Sequence, residues 1–67
     1  MNKDTIAGEW KQIKGDLQRQ WGKLTDNTMD QINGDRTKLL GAIQESYGVA
    51  REDAEEQLRK WEKSRIA

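Results

Sequence analysis

A chain of 67 residues holds one small domain, because two hydrophobic cores cannot be built from so little sequence. Its 12 Lys+Arg offset 12 Asp+Glu, so it lacks the basic excess with which proteins hold nucleic acid or an anionic membrane. With no His and no Cys it has no disulfide framework, zinc-finger spacing, thiol nucleophile or imidazole base, and its carboxylates do not follow a calcium-loop pattern.

Hydrophobic residues make up 33% of the chain, against roughly 45–50% in an average globular domain, and the mean hydropathy is −1.13. Burial must therefore rest on few side chains. Zero net charge and three Trp separate the sequence from a fully solvated chain. No apolar run approaches the ~20 residues of a membrane helix and no signal-peptide core follows Met1, so a cytoplasmic protein is expected.

Ile6, Trp10, Ile13, Leu17, Trp21 and Leu24 fall within a stripe about 80° wide at helical periodicity. They predict a first helix over about residues 4–22, with Asp4 or Thr5 as its cap and Gly22 as a left-handed stop. Thr25 and Asp26 open a second, short helix that carries Met29 and Ile32 and ends at Gly34. Asp35 caps a third, with Leu39, Ile43 and Tyr47 on one face, Leu40 on its flank and Gly48 as the stop. The fourth, about 51–64, buries Ala54, Leu58 and Trp61. Its acidic Glu52, Asp53, Glu55 and Glu56 come first and its basic Arg59, Lys60, Lys63 and Arg65 last, an order that complements the helix dipole.

Sliding the chain by 26 residues places Gly8, Gly15 and Gly22 on Gly34, Gly41 and Gly48, Ile13 on Leu39, Leu17 on Ile43, Trp21 on Tyr47, and Ile32 on Leu58. One hairpin cannot bury its own stripe, so two copies must pack on each other. The expected fold is all-α: four short helices as two crossed, roughly orthogonal hairpins with an internal pseudo-two-fold. It forms a single domain over 1–67, with halves at about 8–33 and 34–61. Gly8 and Gly15 lie opposite the apolar stripe, and each interior glycine costs a helix about 1 kcal/mol relative to alanine.

Asn2-Lys3-Asp4, Gly8 with Trp10-Lys11, Lys14-Gly15 and the run Gln20-Trp21-Gly22-Lys23-Leu24-Thr25-Asp26 resemble the opening of the CsbD-like bacterial proteins. Gly34, Leu39, Gly41, Ile43-Gln44, Tyr47-Gly48, Ala54-Glu55 and Trp61 continue the resemblance over nearly the whole chain. It implies a small helical protein of the bacterial cytoplasm, tied to the general stress response, with two crossed hairpins and no established biochemical activity. Relatives often carry Ser or Thr where Ala50 stands, so a cap is missing before the last helix.

The aromatic residues Trp10, Trp21, Tyr47 and Trp61 share stripes with Ile and Leu, which assigns them to the core rather than to base stacking. In the first helix Lys3, Lys11, Lys14, Arg19 and Lys23 stand against Asp4, Glu9 and Asp16, and Asp26, Asp30 and Asp35 counterbalance that excess of two. The turn Trp21-Gly22-Lys23-Leu24-Thr25 has one glycine and no paired backbone nest for phosphate. No catalytic, cofactor-binding or metal-binding residue is expected, and no cofactor. The expectation is a non-catalytic stress-response protein acting as a hydrophilin-like protectant of other proteins, without membrane or nucleic-acid partners and monomeric. The alternative is a protein-docking module that uses the glycine face of its first helix.

Overall fold

The computed structural model describes residues 3–66, and the side chains of residues 6–65. Every regular element among them is a helix: α1 (Lys3–Gly8), α2 (Trp10–Gln20), α3 (Asp26–Ile32), α4 (Arg36–Tyr47) and α5 (Arg51–Ile66). The expected four helices are thus five, because the first is interrupted at Glu9, where φ is −113° and ψ 21°. The hydrogen-bond ladder restarts at the Glu9 carbonyl, which accepts from the backbone N–H groups of Gln12 (2.9 Å) and Ile13 (3.0 Å). Gly8, which is poorly held in the helical well, adjoins the break. The stripe survives it: Ile6, Ile13 and Leu17 are fully buried and Trp10 packs half-buried against them. Asp4 and Thr5, expected as caps, lie within α1, and their side chains are outside the described ones.

Gly22 is not the left-handed stop of α2. That helix closes on Trp21 (φ −121°, ψ 80°), whose backbone N–H donates to Leu17, and positive φ among the described residues occurs at Asn33, Gly34 and Gly48. Burial of the Trp21 indole sets the exit of the chain, and a turn in which Leu24 N–H donates to the Trp21 carbonyl (3.0 Å) carries Leu24 into the core. The remaining boundaries follow local chemistry. Thr25 Oγ1 accepts from Thr28 N–H (3.2 Å), and one Asp35 carboxylate oxygen accepts from Thr37 N–H (2.9 Å) and Lys38 N–H (3.3 Å). Left-handed Asn33 and Gly34 reverse the chain between α3 and α4, and left-handed Gly48 ends α4.

The central helix is α4, which packs against α1, α3 and α5. Its Leu39, Leu40 and Ile43 meet Ile6 of α1, Met29 and Ile32 of α3, and Ala54 and Leu58 of α5 in one buried cluster.

Two kinds of glycine follow from this packing. Gly34 has φ +82° and is buried, and a Cβ there would stand 3.3 Å from the Cα of Ala7. Gly34→Ala is expected to cost about 1–3 kcal/mol, read as a lower urea midpoint. Gly15 and Gly41 lie inside α2 and α4 with nothing within 4 Å of a Cβ. Alanine at either is expected to add about 1 kcal/mol and, for a domain of this size, roughly 4–8 °C of thermal midpoint. An unchanged midpoint in both variants would overturn the solvent-facing assignment. Ala50, just ahead of α5, offers the helix only its carbonyl, which accepts from Ala54 N–H (3.0 Å). Ala50→Ser supplies the missing side-chain acceptor and is expected to add about 1 kcal/mol in a denaturation titration.

Candidate functional site

The chemistry-bearing side chains collect where α2, the turn after it and α5 come together. Trp21 is 2% exposed, and its Nε1–H donates to Gln57 Oε1 of α5 (3.2 Å). Its ring meets that of Trp61 at a centroid distance of 6.2 Å and a tilt of 59°, within the range of favourable aromatic pairs. The Arg65 guanidinium lies 5.0 Å from the centroid of Trp61 and donates to Asp16 Oδ2 of α2 (2.6 Å). On the other side of the turn, Lys23 Nζ lies 5.2 Å from the Tyr47 ring centroid while Lys23 backbone N–H donates to the Tyr47 hydroxyl (3.0 Å). Gln20, Gln57, Lys60, Trp61 and Ser64 line a shallow cleft of about 290 Å³ beside this assembly.

The four aromatic residues therefore occupy the core or its edge, as their spacing predicts. Trp21 is buried, the Arg65 guanidinium lies over Trp61, the Lys23 ammonium lies over Tyr47, and Trp10 packs half-buried against the core. The basic residues of the first predicted helix are dispersed. Lys14 pairs with Asp30 (3.1 Å), Arg19 pairs with Asp16 (3.3 Å) and Lys11 is exposed. Asp26 accepts from Gln18 Nε2 (2.8 Å), a second contact between α3 and α2 beside Lys14–Asp30. Gly8 and Gly15 are both exposed, but the break at Glu9 puts them on different helices and divides the glycine face.

The most enclosed ion pair among the described residues lies elsewhere and has no counterpart in the sequence reading. Arg36 at the start of α4 clamps Glu62 of α5 with two parallel bonds, Nε to Oε2 (3.2 Å) and Nη2 to Oε1 (3.1 Å). Glu62 is 3% exposed, a buried carboxylate on the flank of the α5 apolar stripe. The sequence signal was the four-residue step Ala54, Leu58, Glu62, which carries an acid onto the buried side. Among the described residues no buried side-chain polar atom lacks a hydrogen-bond partner, and no group of three or more Asp or Glu stands close enough to hold a metal ion. No helix among them is long and apolar enough to cross a membrane.

These features define a class: a small all-helical domain whose Trp21–Trp61 pair and Lys14–Asp30, Arg36–Glu62 and Asp16–Arg65 ion pairs join its own helices. The chain belongs to the CsbD-like family, whose model matches residues 4–56. It is 52% identical over 63 residues to UPF0337 protein YjbJ of Escherichia coli O6:H1, covering 94% of this chain and 91% of that protein. It is 54% identical over 57 residues to UPF0337 protein pc0632 of Protochlamydia amoebophila, covering 85% and 86%. To UPF0337 protein ECA0631 of Pectobacterium atrosepticum it is 52% identical over 62 residues, covering 92% and 90%. No solved structure matches it.

Proposed function

We propose that this is a non-catalytic stress-response protein of the bacterial cytoplasm that works as a monomeric, strongly hydrated protectant of other proteins. The observation that carries this reading is how the polar groups are disposed. The chain is 36% charged, and its ion pairs other than Arg36–Glu62 involve side chains open to solvent. Gly8, Gly15 and Gly41 add bare backbone to that surface. Such a surface binds water in preference to ligands, and membership of a stress-associated family supports the biological setting. The reading takes residues 1–67 as one domain built on the hairpin duplicated at 26 residues, and assigns no catalytic, cofactor or metal residue.

The test is to dry or freeze a labile dehydrogenase with this protein, and with equal masses of a folded inert protein. Higher recovery of activity with this chain is expected, and equal recovery overturns the protectant reading. A second reading, docking of a partner protein, rests on Gly15, where a Cβ would meet nothing within 4 Å. A stoichiometric partner captured from stressed cells, and lost on Gly15→Leu with the fold intact by circular dichroism, would favour docking.

A further inference from the structure

The 26-residue register extends beyond the two hairpins, and there it sets three joints side by side. Ile6 aligns with Ile32 and Leu58, all at most 2% exposed, and the tripeptides after them are Ala7-Gly8-Glu9, Asn33-Gly34-Asp35 and Arg59-Lys60-Trp61. Their backbones differ in a graded way. Residues 59–61 carry no glycine, and α5 runs straight through them. Asn33-Gly34 takes two left-handed residues and reverses the chain. Ala7-Gly8-Glu9 stands between these extremes: Gly8 is still helical, and Glu9 leaves the helical region in a single turn residue whose φ stays negative. Asn tolerates the left-handed region and Ala does not, while Gly is costly within a helix. The first joint therefore has a residue that resists the turn beside one that resists the helix, and neither geometry is fixed.

We infer that α1 is a hinged strap, which swings about the Gly8–Glu9 joint between a state seated on α4 and a released state in which α2 to α5 keep their fold. Its seat is small. Ile6 is fully buried, and a Cβ added at Gly34 would stand 3.3 Å from the Cα of Ala7. Burial of Ile6 by itself favours the seated state roughly 10–150-fold. An open groove of about 470 Å³ borders the joint at Ala7, Gly8, Glu9, Trp10 and Asn33 and gives the backbone room to move. Release uncovers the Ile6 seat on α4 and the buried backbone at Gly34, making α1 the built-in cover of an apolar site.

Residue-resolved amide exchange by NMR on the full chain, repeated in low urea, tests the strap. The Ala7 and Gly8 amides are expected to exchange at least about tenfold faster than those of Ile13 to Leu17, with a shallower urea dependence and a step at Glu9. A smooth gradient from residue 7 through 17 means end-fraying, and equal rates and slopes in α1 and α4 mean that α1 opens only with the whole domain. Either result overturns the strap. In Ile6→Ala, Ala7 and Gly8 should reach peptide exchange rates while Ile43 and Leu58 stay protected. Loss of protection in all four together also overturns it.

Discussion

Arg36→Ala is expected to be more damaging than any change to the solvent-facing charges, lowering stability by about 3–5 kcal/mol. A 67-residue domain holds roughly 3–10 kcal/mol in total, so this one change should remove at least about a third of its stability. The two partners are not equivalent. The Arg36 side chain is 19% exposed and that of Glu62 only 4%. Removing the arginine leaves a carboxylate stranded in the core, whereas Glu62→Gln keeps the shape and leaves a guanidinium that still reaches water. Glu62→Gln should therefore cost clearly less than Arg36→Ala, and the pair Arg36→Met with Glu62→Leu should recover most of the loss. Urea titrations of the four proteins decide the matter. Equal, small effects of the single variants would mean that the clamp contributes no more than a surface ion pair.

Trp21→Ala is expected to cost about 3–5 kcal/mol through loss of the largest side chain joining α2 to α5. Trp21→Phe keeps one aromatic ring on the Trp61 side while removing the Nε1–H donor to Gln57 and part of the indole volume. That variant should cost about 1–3 kcal/mol, from the lost ring volume together with the bond to Gln57, an exposed residue. Thermal unfolding followed at the helical ellipticity gives both values. Near-identical midpoints for the two variants would show that a phenyl ring at this position does nothing to fasten α5.

The helix ends at Thr25, Asp35 and Gly48 were legible because each is set by one side chain and the backbone beside it. The break at Glu9 was not. Ile6, Trp10 and Ile13 keep their spacing across it, and periodicity is blind to a joint that leaves the stripe on the same side. Gly22 misled for the opposite reason, since burial of the neighbouring Trp21 overrode a local preference for a glycine stop. At the candidate site the aromatic residues were placed correctly by their apolar neighbours. Their partners were out of reach, because Gln57 lies 36 residues from Trp21 and Arg65 lies 49 from Asp16. Glu62 was missed because a charged residue at the end of a polar helix reads as surface unless its four-residue relation to Leu58 is weighed.

The ion pairs that tie α2 to its neighbours, Lys14–Asp30 to α3 and Asp16–Arg65 to α5, involve partly exposed side chains, while Arg36–Glu62 is enclosed. Ionic strength acts on the two kinds differently. The Debye length shrinks from about 8 Å at 0.15 M salt to about 3 Å at 1 M, which weakens open pairs and barely touches a closed one. As a cell loses water and its ions concentrate, the electrostatic fastening of α2 should slacken while α4 and α5 remain joined, so that dehydration itself loosens the two sides of this domain unequally.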